Sequence, residues 1–182
     1  MTTVTVMGID PSLRNTGIAI ALVDTDTNSI ESIIALSLAQ TKPGPKNQRK
    51  SSADYEAALV LTSTIKRRIH EFNPKVVFAE IPSGSQSSRG TMSAGISIGI
   101  MASTSPQPIE VTPQQVKLQS CGILTATKDE MIEWAVGLYP DAPWHMRGGK
   151  IKKSNEHLAD AIAVIHAGFV TPQWEVVRSL LQ

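Results

Sequence analysis

The first forty residues constrain the fold most. Three β-rich runs follow one another there with only turn-sized connections between them. Val4 to Asp10 (VTVMGID) closes on the turn signal PSLRNTG, Gly17 to Asp24 (GIAIALVD) comes next, and TDTNS then turns the chain into IESIIALSL. Neighbouring strands joined this tightly pair as an antiparallel meander, because parallel pairing needs a crossover of a dozen or more residues.

Beyond the meander the order changes. TKPGPKNQRKSS is a loop by composition. From about Asp54 to Phe72 the apolar positions Ala57, Ala58, Leu61, Ile65 and Ile69 keep a helical period, and Asn73-Pro74 stops it. Lys75 to Glu80 (KVVFAE) is the short apolar run of a buried strand. A polar Gly/Ser loop, IPSGSQSSRG, leads into TMSAGISIGIMAS, whose small residues suggest a tightly packed helix. PIEV suits a short strand, TPQQVKLQ a helix opened by Thr-Pro, and TKDEMIEWAVGLY a helix with the capping box Thr127 and Glu130. The loop PDAPWHMRGGKIKK precedes a helix over Ser154 to Phe169, and TPQWEVVRSLLQ reads as a short terminal helix. A meander followed by strands alternating with helices is an α/β layout with a mixed sheet. No internal repeat or composition break divides the chain, so one domain over residues 1–182 is expected. Aromatic residues make up only 4%, which leaves Ile, Val, Leu and Ala to build the core. No apolar run reaches the length of a membrane span, the start lacks a basic-then-apolar signal, and Cys121 is the single cysteine. A reducing cytoplasm is the expected location.

Acids fall at informative places. Asp10 closes the first strand and Glu80 the fourth, where rigid backbone holds a side chain at a sheet's rim. Asp160 lies beside the stripe Leu158, Ala161, Ile162, Ile165 and Phe169 of the late helix, with His157 one turn earlier and Glu156 next to it. Asp10-Pro11 also suits an ordinary turn, and Glu156 suits any helix N-terminus. If Asp10, Glu80 and Asp160 converge, three carboxylates repel one another unless divalent cations neutralise them, and hard oxygen donors suit Mg²⁺ or Mn²⁺. Two such ions about 4 Å apart serve phosphodiester hydrolysis. The net charge of +1 says little about partners, but its distribution says more. KPGPKNQRK (Lys42 to Lys50) and RGGKIKK (Arg147, Lys150, Lys152 and Lys153) concentrate cations in loops, as a polyanion partner requires.

GIDPSLRNTGIAI with Asp10, VVFAE with Glu80, VTPQQVK with Lys117, TATKDEM with Lys128 and HLADAIAVIHAG with Asp160 resemble, in order, the successive motifs of the RuvC Holliday-junction resolvases. The first motif also resembles the phosphate-binding turn of actin-like and sugar-kinase ATPases; the ordered set is the more specific match. The resemblance implies a ribonuclease H-like fold, a five-stranded mixed sheet flanked by helices. It implies a homodimer that binds four-way DNA junctions and nicks two strands with Mg²⁺ or Mn²⁺, as two ions held by acids. On that reading Asp10, Glu80 and Asp160 are catalytic metal ligands, while Arg14, Lys117 and Lys128 serve DNA.

Two departures bear on the expectation. Bacterial resolvases carry a fourth acid where this chain has His157. Three residues from Asp160, His157 shares its helical face and can ligate a metal or handle a water's proton, an arrangement similar to the RuvC-like domains of some CRISPR nucleases. After Glu80 the family places an aromatic-bearing segment, whereas Ser85, Gln86 and Arg89 here offer phosphate donors and nothing to stack on a base. Trp144 and His145 are alternative stacking groups, with Trp144 equally suited to packing. Ser12 also replaces the usual Gly of the first turn. These departures suit a bacteriophage or mobile-element version. Three other readings stand beside junction resolution: a nuclease for another branched or flapped substrate, a catalytically silent DNA-binding module, and an ATPase.

Overall fold

The structure is a computed structural model, and it describes residues 2–182. The expected meander forms from β1 (Thr3–Asp10), β2 (Asn15–Asp24) and β3 (Ser29–Gln40). Helix α1 (Lys50–Phe72) crosses to β4 (Val76–Glu80), and α2 (Ser88–Ala102) crosses to β5 (Ile109–Val111). The remaining helices are α3 (Pro113–Ser120), α4 (Lys128–Leu138), α5 (Glu156–Gly168) and α6 (Pro172–Leu181). The sheet runs in the order β3-β2-β1-β4-β5. Its first three strands are antiparallel, and β4 and β5 join parallel to β1 through the two helical crossovers. The sheet is mixed and five-stranded, flanked by helices, as expected.

Both faces of the sheet are covered, and the period-2 alternation of the strands decides what goes where. Val4, Val6, Val76 and Phe78 pack with α5 and α6, including Leu158, Ile162, Ile165 and Trp174. Met7, Ile9, Val77 and Ala79 pack on the opposite face with Leu61 and Ile65 of α1 and Ile100 and Met101 of α2. Strands buried on two faces explain why VTVMGI and VVFA are nearly continuous apolar runs. Helix α5 is the central one: Leu158, Ile162 and Ile165 are fully buried, each contributing about 1.5–3 kcal/mol relative to exposure. Two glycines let it lie unusually close. A Cβ at Gly8 would fall 2.2 Å from the Ala161 carbonyl oxygen, and one at Gly17 would fall 1.8 Å from that of His157. Among the described residues no helix is long and apolar enough to cross a membrane.

Three local details depart from the expectation. Helix α1 starts at Lys50, taking in the end of the basic loop, with the amides of Ser52 and Ala53 donating to the Arg49 carbonyl. Helix α2 starts at Ser88, because the Ser87 side chain accepts from the Gly90 amide and caps the turn; Arg89 is therefore helical. The segment after Trp144 is not wholly a loop: β6 (Met146–Arg147) and β7 (Lys150–Ile151) form a small ribbon. Gly148 and Gly149, at φ +57° and +74°, supply the two left-handed residues that its tight turn demands.

Candidate metal centre

The same alternation that packs the core aims the acids. On β1, Val6, Gly8 and Asp10 share a face; on β4, Val76, Phe78 and Glu80 do. Ile9 pairs with Ala79 in the parallel ladder, so Asp10 and Glu80 stand at matching ends of adjacent strands, both turned toward α5. Gly17, opposite Asp10 in the β1–β2 ladder, makes room for the first turn of that helix. His157 and Asp160, one turn apart, are thereby brought to Asp10.

One ligating atom from each of Asp10, His157 and Asp160 lies within 4.8 Å of the other two. His157 Nδ1 is 3.3 Å from Asp10 Oδ2, and its Nε2 is 3.3 Å from Glu156 Oε1. Glu156 in turn accepts from Lys128 Nζ at 2.8 Å. Nδ1 is thus hydrogen-bonded to Asp10, while Nε2 lies in ion-pair range of Glu156. The electrostatics show a site short of positive charge. Burial pushes the Glu80 carboxyl up to about 8, the carboxylates of Asp10 and Asp160 push the same way, and Lys117 opposes them. Asp160 is also raised, by burial first and then by Asp10, with His157 pulling against both. The hydrogen bond to Asp10 raises His157 against the effect of its burial. Oxygen donors plus one imidazole, gathered at a rim and repelling one another, fit a hard or borderline divalent cation such as Mg²⁺ or Mn²⁺.

The other expected site residues divide into three groups. Lys117 on α3 lies close enough for its charge to be felt at Glu80, and Lys128 opens α4 on the far side of Glu156. Ser85 and Gln86 are exposed in the turn between β4 and α2, and Arg147, Lys150, Lys152 and Lys153 are exposed on or just after the ribbon. Asn155 ties that ribbon to the start of α5: its side chain accepts from the His145 amide and donates to the carbonyls of His145 and Lys152. Arg14 and Arg89 do not stand free; both meet Asp54 of α1. Trp144 is 8% exposed and donates its indole N–H to the Tyr139 carbonyl, so it is a packing residue and does not offer a stacking face. Sequence reasoning passed over Asp54 and the two close-packing glycines. A signal existed for each: Asp54 continues the apolar stripe of α1 where an apolar residue belongs, and glycine inside a strand marks close approach of another backbone.

No protein-family model matches the chain, and no curated protein matches it. Solved structures do: the chain has the ribonuclease H-like fold of RuvC and other Holliday-junction resolvases. Thermus thermophilus RuvC in complex with a Holliday-junction substrate is 21% identical, covers 90% of this chain and 92% of its own, and superposes with a TM-score of 0.66. The yeast mitochondrial Holliday-junction resolvase Ydc2 is 17% identical over 97% of this chain and 84% of its own, with a TM-score of 0.58.

Proposed function

We propose that the chain is a divalent-metal-dependent endodeoxyribonuclease that resolves four-way DNA junctions, acting as a homodimer. The observation that carries this reading is the convergence of Asp10, His157 and Asp160, with Glu80 on the adjacent strand end, at an open rim edged by lysines. Asp10, Glu80, His157 and Asp160 would hold Mg²⁺ or Mn²⁺, as a pair of ions. The bound metal supplies a water of lowered pKa and neutralises charge at the scissile phosphate. The chain's own part is positioning. Glu156 lies beside His157 Nε2, which leaves Nδ1, next to Asp10, as the nitrogen for the ion; Lys117 presents a cation beside Glu80, and the exposed Lys128 pairs with Glu156. The exposed cations of the ribbon, fixed to α5 through Asn155, would follow the DNA backbone away from the centre.

A homodimer suits the surface of the α1 and α2 layer, where Tyr55, Leu59, Met92 and Ile98 are exposed apolar residues. One observation favours a second substrate. The turn between Glu80 and α2 carries no aromatic side chain, so a flap or other branched DNA that needs no base stacking is the alternative.

The test is cleavage of synthetic four-way junction, flap, duplex and single-stranded DNA with Mg²⁺, Mn²⁺ or EDTA. Paired nicks across the junction, absent in EDTA, are expected; pairing requires two centres and hence a dimer. Metal-dependent cutting of flaps alone would keep the centre and discard the junction. Tight binding with no cutting under either metal would discard the nuclease.

A further inference from the structure

Arg14, four residues beyond Asp10 in the chain, lines a cavity of about 370 Å³ whose wall also carries Lys46, Lys50 and Arg89 and no acidic side chain. Behind it lies Asp54, only 3% exposed. The two Asp54 oxygens take both terminal nitrogens of Arg89, and Oδ1 is also 3.5 Å from Arg14 Nη2. Arg14 is held further by Thr41 Oγ1 at 3.3 Å and the Lys42 carbonyl at 3.2 Å.

A buried carboxylate shared by two guanidinium groups has a purely structural role available: it ties the β1–β2 turn and α2 to α1. Two features exceed that role. A guanidinium has five N–H donors in a fixed fork, and Asp54 takes two of those on Arg89, whose side chain remains 44% exposed. One carboxylate also answers two arginines while two lysines share the wall, so the cavity keeps a positive surplus. Preset forks with a cationic surplus match the geometry and charge of a phosphate.

Connectivity keeps the cavity near the metal centre. Arg14 follows Asp10 by four residues, and Arg89 follows Glu80 by nine. Four extended residues span at most about 14 Å, which is roughly four nucleotide steps of 3.4 Å along one strand. We infer that this cavity binds a backbone phosphate of the strand entering the metal centre, with Asp54 as the positioning residue that holds Arg14 and Arg89 as a two-pronged clamp. This rests on the reading of the chain as a DNA nuclease.

The experiment is binding of a labelled four-way junction in EDTA, from 50 to 200 mM salt, by the wild type and by Arg89→Gln, Lys46→Gln and Asp54→Asn, each checked for folding by its melting curve. Loss of one phosphate-neutralising cation lowers the slope of log K against log salt by about 0.9 and weakens binding roughly eightfold at 0.1 M salt. That is the result expected for Arg89→Gln and Lys46→Gln, both at exposed positions. Asp54→Asn separates positioning from bulk charge. It deletes a negative charge, so an unorganised basic surface would bind DNA more tightly, whereas a clamp that needs its carboxylate binds several-fold more weakly. Unchanged slopes for Arg89→Gln and Lys46→Gln would overturn the inference, as would tighter binding by a folded Asp54→Asn. Cleavage by the wild type reports separately on the nuclease. A wild type that cuts metal-dependently while the variants keep its slope loses the clamp alone, and one that binds no DNA loses both.

Discussion

Replacing Asp10 by Asn is expected to abolish metal-dependent cleavage while leaving junction binding in place. Asp10 stands at the centre of the candidate site: its carboxylate reaches His157 Nδ1, and its charge bears on both Glu80 and Asp160. An amide keeps the shape and one oxygen but loses the charge that two cations would share. Loss of a group merely supporting a ligand typically costs ten- to a hundredfold, so loss of a direct ligand should exceed about a hundredfold. Binding should persist, because the cations at Lys117, Lys128 and the ribbon are untouched and one repulsive charge has gone. Folding should persist too, since Asp10 caps a strand at the rim and its side chain is 15% exposed. Cleavage time courses and band shifts on the same junction, run in parallel, check both halves. Cleavage within tenfold of the wild type would remove Asp10 from the centre.

Gly17→Ala is expected to damage both stability and the site, because the helix that carries two of the ligands leaves no room for a methyl group. The new Cβ would lie 1.8 Å from the His157 carbonyl oxygen and 2.5 Å from its carbon. Those are backbone atoms, so no side chain can swing aside. Helix α5 cannot retreat as a unit either, since its residues from Leu158 to Ile165 fill the core between the sheet and Met131 and Ala135 of α4. Overpacking of this kind costs about 1–3 kcal/mol or more. At roughly 2–4 °C per kcal/mol for a chain of this size, the melting temperature should fall by about 2–12 °C. Cleavage should fall even at a temperature where the variant is folded, because any displacement of the first turn of α5 moves His157 and Asp160 off Asp10. Calorimetry together with cleavage at 20 °C measures both effects. An unchanged melting temperature would contradict the close packing of α5 on β2.

Much of this architecture was legible because its signals are local. The short connections of the first three strands dictate antiparallel pairing, and the apolar runs at Val4 and Val76 mark strands covered on two faces. The capping threonines at Thr112, Thr127 and Thr171 set helix starts that the structure reproduces. The Gly-Gly ribbon after Trp144 was not legible: its four strand residues are too few to show an alternating pattern, and charge alone made the segment read as a loop. Helix starts at Lys50 and Ser88 lie earlier than apolar periodicity indicates, because a first turn needs few buried residues; Ser87 caps α2, whereas Arg49 gives α1 no side-chain cap.

The candidate site was half legible. Residue type and position at strand ends single out Asp10 and Glu80, and counting in twos from the core residues Val6 and Phe78 shows that both face α5. That Asp160 and His157 reach Asp10 depends on the angle and depth at which α5 lies on the sheet, a tertiary fact set by Gly8 and Gly17. The Arg14–Asp54–Arg89 cluster joins residues up to 75 positions apart through a buried acid on a helix stripe. Nothing in the spacing of the three predicts their meeting, and Arg14 and Arg89 read singly as free cations.

The most direct test of the central claim is anomalous diffraction from crystals of the protein soaked in Mn²⁺. The account predicts an anomalous peak bonded to Asp10, His157 and Asp160 at about 2.1–2.3 Å, the range of short oxygen and imidazole bonds to divalent ions, with Glu80 adjoining. Manganese bound only elsewhere on the surface, with the His157–Asp10 hydrogen bond still in place, would contradict it.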